Sequence, residues 1–288
     1  VSTQVPRLFA GLVDDAAVFP PGSAPLPDAV VAHRRHRSAW YADLVGPLLL
    51  PASAVTAGEL SLVDPAEGYV IGLIGDTGID GLPVALSFLA PDGVTVRQLE
   101  VPVAKRGEDP SPGVAALLQL IDKTRAVESC YAEVPLTFGL MSALDALAEA
   151  RAAGAPVAAK FRTGGLAAEL FPTPIELAAV ICACRDRELP FKLTAGLHHA
   201  VRHRDPETGF THHGFVNVLA AALAAAGGAE VDAVAGLLAA TDPVRVVERA
   251  RAERDAARPL WIGYGSCSIE EPLTDLIRLG LVNGGYDE

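Results

Sequence analysis

Two lysines stand in otherwise apolar, β-rich runs one structural unit apart: Lys160 in AAKFRTGG and Lys192 in FKLTAGLHHAVRH. Their spacing of 32 positions is what one strand and its crossover helix span. A lysine crowded by another cation in a low-dielectric pocket has its ammonium form disfavoured. The free amine is then available near neutral pH to attack a carbonyl and form a Schiff base. Carboxylates recur in comparable settings: Asp14 and Asp15 in VDDAAVFPPG, Glu100 in LEVPV and Glu133 in AEVPL. Any of these could move the proton through water. LEVPV and AEVPL form a faint internal repeat, with proline ending the strand ladder where a loop begins.

Such groups need a scaffold that brings strand ends together. Short β-rich segments alternate with longer Ala/Leu segments of helical period along the chain. The strand candidates are residues 8–13, 44–50, 69–74, 94–103, 130–134, 157–161, 191–194 and 260–264, and the helical runs include 28–41, 113–124, 142–153, 174–187, 215–226 and 242–257. The segment PVALSFLAP reads equally as helix or strand. Eight alternating units predict parallel strands joined by right-handed crossovers, hence one α/β (β/α)₈ barrel over residues 1–288. A doubly wound open sheet would want a phosphate-binding Gly-rich turn after the first strand, where the chain has DDAAVFPPG instead. In barrels the chemistry collects at the C-terminal ends of the strands. Strand alternation puts Lys160 with Arg162 on one face, and Lys192 with Thr194 on one face.

Bulk properties narrow the partners. A net charge of −12 argues against nucleic acid. The most apolar tract, 216–229, is cut by Glu230 and Asp232 and is too short to span a bilayer. Four scattered cysteines give neither a zinc spacing nor a disulfide framework, and fit buried free thiols. VSTQVPRLFAGLV has no signal-peptide pattern. The expectation is a cytoplasmic protein acting on a small molecule, with a homo-oligomer left open.

Glycine turns supply anion-binding candidates: Gly164 and Gly165 after the sixth strand, and Gly265, Ser266 and Ser268 after the eighth. Ser268 also suits capping of the last helix, with Glu271 completing a capping box. Five of seven histidines fall in the long loop at about 196–214, with His198 and His199 the candidates for contact with substrate. A divalent metal ion on His198, His199, Glu100 and Glu133 is the alternative use of these side chains. Arg162, Arg202 and Arg204 hint at an anionic substrate.

The order of motifs resembles the deoxyribose-phosphate aldolase group of class I aldolases. In that family an Asp-containing first strand runs into a Pro-containing loop, as VDDAAVFPPG does here. A fourth-strand aspartate corresponds to Glu100, and a fifth-strand glutamate to Glu133. The Schiff-base lysine of a Lys-Thr-Ser-Thr-Gly strand end corresponds to Lys160, and the second lysine of Lys-Ala-Ala-Gly-Gly to Lys192. A Gly-Ala-Ser-Ser phosphate turn corresponds to GYGSCS. The chain departs from the pattern in Glu100, in Arg162 where the family has a small polar residue, and in its longer seventh loop. It also resembles a group of bacterial and plant proteins sharing FPP, KxRTGG, KxTAGLHH and GSCSxxEP. The resemblance implies a cofactor-free (β/α)₈ lyase in which Lys160 forms the Schiff base, Lys192 depresses its pKa, and Glu100 or Asp14 moves protons. Two alternatives remain at this stage: a metal-dependent hydrolase, isomerase or lyase, and a barrel that binds an anionic metabolite without turnover.

Overall fold

Period-two alternation decides which residues the barrel encloses. In VAAKFR, Val157, Ala159 and Phe161 are fully buried, and Phe161 meets Phe191 of the next strand in ring contact. Those residues face the helices, so Ala158, Lys160 and Arg162 face the interior. FKLT repeats the arrangement, with Phe191 and Leu193 outward and Lys192 and Thr194 inward.

The computed structural model describes residues 5–62, 68–89, 94–124 and 127–284. Its barrel strands are β1 (Val13–Asp15), β2 (Val45–Pro51), β3 (Tyr69–Ile74), β4 (Val94–Pro102), β5 (Ser129–Glu133), β6 (Val157–Arg162), β7 (Phe191–Thr194) and β10 (Trp261–Ser266). They are parallel and close in the order β1-β10-β7-β6-β5-β4-β3-β2, alternating with helices. The expected α/β barrel is the fold. Two short strands, β8 (His203–Arg204) and β9 (Thr211–His212), form an antiparallel hairpin within the histidine-rich seventh loop.

Several expected boundaries shift. The first strand was expected at 8–13, but Arg7–Phe9 is a 3₁₀ turn and the ladder begins at Val13. Pro6 precedes that turn and Gly11 has φ +56°, so the apolar run cannot stay extended. Leu8 and Phe9 are buried instead. The eighth barrel strand extends to Ser266. PVALSFLAP contributes to a helix, α3 (Leu82–Leu89), its last two residues lying outside the described residues, as do the first four of the N-terminal segment.

After α6 (Pro174–Asp186) and α7 (Phe215–Ala226) comes a helix that pattern reading did not single out, α8 (Val231–Ala239), which packs on both. With α9 (Pro243–Ala252) also against α7, the apolar FVNVLAAALAAA is covered on several sides. Its buried Asn217 donates to Leu237 O and Ala240 O and accepts from Arg202 N, tying α8 to the loop before the hairpin. No helix among the described residues is long and apolar enough to cross a membrane.

The barrel seam is closed from below by Arg258. Its guanidinium donates to the carbonyls of Leu8, Ala10, Gly11, Trp261 and Ile262. Burial lowers its pKa to about 10. Arg258→Ala strands those acceptors and is expected to destabilise the fold by about 3 kcal/mol, read as a lower denaturant midpoint with an unchanged slope. An unchanged midpoint contradicts the role given to this side chain.

Candidate active site

Inside the C-terminal half of the barrel, the strand register sets the charged residues side by side. Glu133 is level with Lys160, and Lys160 with Lys192. Asp14 enters from β1 level with Gly265, and Glu100 from β4 level with Tyr131. The result is a chain of alternating charge. Asp14 binds the Lys192 ammonium, and the Glu100 carboxylate lies between the two lysines with Oε1 2.5 Å from Lys192 Nζ and Oε2 2.8 Å from Lys160 Nζ. Lys160 continues to Glu133 at 2.8 Å, and Glu133 Oε1 accepts from Arg162 Nε and Nη2, each at 3.1 Å. All but Glu133 and Arg162 are at least 95 % buried.

Two residues that sequence reading did not select complete the cluster. Gln98 Nε2 donates to Asp14 Oδ2 at 2.7 Å and to Glu100 Oε1 at 2.9 Å. The Tyr131 ring lies under Lys192, with Nζ 4.8 Å from its centroid. Gln98 precedes Glu100 by two residues and Tyr131 precedes Glu133 by two, so period-two spacing was the available signal. Space for the cluster comes from glycines on the neighbouring strands. A Cβ on Gly72 would lie 2.8 Å from Gln98 Cγ, and one on Gly46 would run into Asp14 Oδ1. Gly46→Ala is expected to push Asp14 off Lys192 and cost about 1–3 kcal/mol, visible as a lower melting temperature. A variant as stable as the parent contradicts this packing.

Electrostatics overturn one expectation. Burial opposes the ammonium forms of Lys160 and Lys192, yet the carboxylates beside them outweigh it and raise both above the ordinary lysine value. Lys192 therefore does not depress Lys160 in this arrangement, because Glu100 stands between them. Burial alone would raise Glu100, but the two lysines hold it down at about 2. Glu133 is lowered too, with Lys160 and Arg162 overcoming its burial. At Asp14 burial prevails over Lys192, so its carboxyl is raised. Asp15 faces the other way, bonding His33 Nδ1 at 3.0 Å on α1 (Leu26–Ser38).

The other expected site residues surround the mouth. Thr194 is half-buried at the interior end of β7, and its carbonyl accepts from Thr163 N at 2.9 Å. The sixth and seventh loops meet closely: Thr163 Oγ1 donates to Ala195 O at 2.6 Å, and a Cβ on Gly164 would lie 2.8 Å from Gly196 Cα. Gly165 is packed against Leu170, and Gly265 faces the interior near Leu49. The eighth-strand turn is partly closed on itself, since Ser266 Oγ donates to Ser268 O and accepts from Ser268 N. Ser268 Oγ accepts from Glu271 N in α10 (Glu270–Arg278), giving half of the expected capping box.

Glu271's carboxylate turns to His198 Nδ1 at 3.3 Å instead, and His199 Nδ1 lies 3.4 Å from Asp275. Neither histidine bonds Lys160 or Lys192 among the described residues. The two rings stand against carboxylates of α10 rather than against the lysine cluster. Among the described residues no three His, Cys, Asp or Glu side chains are grouped as metal ligands. The set His198, His199, Glu100 and Glu133 is not brought together, as the glutamates serve the lysines. The other loop histidines make their contacts within the loop and with neighbouring backbone. His199, His203 and His212 form successive ring contacts, and His213, buried, lies 2.7 Å from Pro172 O with its pKa pushed down to about 4 by burial.

What the site offers chemically is two interior lysines, the carboxylate of Glu100 shared between them, and one further carboxyl on each, Asp14 at Lys192 and Glu133 at Lys160. Comparison with protein-family models, with curated proteins and with solved structures finds no match for this chain.

Proposed function

We propose that this barrel is a Schiff-base-forming lyase of the class I aldolase type, acting on a small carbonyl compound that carries an anionic group. One observation carries the reading: two buried lysines, level on neighbouring strands, bind the two oxygens of a single buried carboxylate. A purely structural network of this kind is a poor source of stability, since desolvation offsets most of the attraction. Lys160 is the nucleophile because its second carboxylate partner, Glu133, lies toward the mouth, whereas Lys192 is enclosed by Asp14, Gln98, Glu100 and Tyr131.

In the resting protein Lys160 is an ammonium, so a proton leaves before attack. Glu133, the carboxylate on Lys160 that Lys192 does not share, receives it in this reading. The neutral amine then adds to the carbonyl carbon, and loss of water leaves an iminium that withdraws electrons from the adjacent carbon–carbon bond. Lys192 remains cationic and fixes Glu100. Asp14, whose carboxyl is raised, supplies or receives protons on the inner side.

Borohydride reduction in the presence of a panel of aldehydes and keto acids tests the reading. The expected result is a mass increment on the peptide containing Lys160. No adduct across the panel would overturn it.

A further inference from the structure

β7 ends on a threonine that the lysine chemistry does not use. Thr194 shares the interior face with Lys192, and is level with Arg162 on one side and Gly265 on the other. A substrate bonded to Lys160, on the neighbouring strand and one layer deeper, leads past it toward the mouth. The backbone at this point is fixed by the sixth loop: Thr194 O accepts from Thr163 N at 2.9 Å, and Thr163 Oγ1 donates to Ala195 O at 2.6 Å. Ala195 and Gly196 follow with φ +64° and +77°, so the chain turns sharply and Thr194 is the last interior residue of its strand.

The hydroxyl groups around it are engaged. Thr163 Oγ1 gives its hydrogen to Ala195 O, Ser266 Oγ gives its own to Ser268 O, and Ser268 Oγ accepts from Glu271 N. Thr194 Oγ1 has no hydrogen-bond partner among the described residues and is reachable from solvent. An apolar wall stands nearby. Gly265 has no side chain, and the space before it is met by buried Leu49, whose Cδ1 would lie 3.1 Å from a Cβ there. The other methyl of Leu49 packs over Gly72 beside Gln98.

We infer that Thr194 determines specificity: its hydroxyl hydrogen-bonds a hydroxyl on the carbon next to the substrate carbonyl, while Leu49 takes the apolar substituent of that carbon. The inference rests on the Schiff-base reading and adds a substrate class to it, a 2-hydroxy aldehyde or ketone of one handedness. A threonine hydroxyl both donates and accepts, so it serves a substrate hydroxyl in either direction. The mirror-image compound turns its hydroxyl toward the methyl groups of Leu49, where it finds no partner.

The two enantiomers of 2-hydroxypropanal test this, since they react equally with an achiral amine and differ only in how a chiral site receives them. The full chain is mixed with each enantiomer and cyanoborohydride, and the rate of adduct formation on the Lys160 peptide is followed by mass spectrometry. The wild-type protein is expected to capture one enantiomer at least about tenfold faster than the other. Thr194→Val, which keeps the shape and removes the hydroxyl, is expected to narrow that ratio to less than about threefold, and Thr194→Ser to keep it. Should Thr194→Val not fold, Thr194→Ala takes its place. Equal rates for the two enantiomers in the wild-type protein overturn the inference, as does capture of neither while other aldehydes are captured. A wild-type ratio in Thr194→Val, or its loss in Thr194→Ser, overturns it too. In each of these outcomes the lysine chemistry stands. If the wild-type protein forms no adduct with any carbonyl compound, both readings fall together.

Discussion

Lys160→Ala is expected to form no borohydride-trapped adduct with any carbonyl compound that the wild-type protein captures, and to lose turnover by on the order of 10⁴-fold or more. Lys160 and Lys192 are both buried and differ in their second carboxylate, Glu133 for Lys160 being partly exposed and Asp14 for Lys192 buried. Lys192 is 1 % exposed, and its ammonium is enclosed by Asp14, Glu100 and the Tyr131 ring. Removing Lys160 also leaves Glu133 with Arg162 as its one cation and Glu100 with Lys192 and Gln98, so the variant is expected to melt earlier as well. Circular dichroism at the assay temperature establishes that it is folded when tested. Lys192→Met should behave differently, still trapping on Lys160 but at a lower rate. An adduct on Lys192 in the Lys160→Ala protein would reverse the two roles and sink the assignment.

The second large effect concerns Glu100, which joins both lysines. Glu100→Gln leaves two buried ammonium groups without their common counter-charge, and is expected to cost about 3–5 kcal/mol. The pH dependence carries a definite sign. Glu100 lies at about 2 in the folded protein against an ordinary 4.5, so its stabilisation is present above pH 4.5 and is lost as the pH falls toward 2. That interval corresponds to about 3 kcal/mol. Glu133 acts in the same direction, while Asp14, whose carboxyl is raised, returns part of the loss on protonation. Lys160 and Lys192 mark the alkaline side: their contribution is present below 10.5 and is lost as the pH rises through their higher folded values. Urea melts of wild-type protein and Glu100→Gln between pH 7 and pH 2 read this directly. The variant should lose much of the acid slope. Equal slopes in the two proteins would contradict the central position of Glu100.

Much of this was legible because strand alternation is a local property. Lys160, Lys192, Glu100, Glu133 and Asp14 could all be assigned to strand ends, and the register of a parallel barrel brings such ends together. The order of charges was not legible. Lys160 and Lys192 sit on adjacent strands, which suggested direct repulsion, but Glu100 arrives between them from β4 across the barrel. Only closure of the sheet creates that neighbour, and it reverses the direction of the lysine shifts. The surroundings of the five loop histidines were not legible either, since the loop distributes them among α10 carboxylates, backbone carbonyls and each other. Arg258 gave no sequence signal, since its partners at Leu8, Ala10 and Gly11 are about 250 residues away.

That last separation bears on the order of assembly. β1 contributes only three residues to the ladder, and until it docks, β2 and β10 are both free sheet edges. Arg258 can latch the seam only after nearly the whole chain has been made, so the latch belongs to the late, high-contact-order part of folding. Asp14 rides on that strand. Before docking, Lys192 has Glu100 as its carboxylate partner; afterwards it has Asp14 too. The Asp14–Lys192 ion pair thus depends on the same seam, between β1 and β10, that closes the sheet.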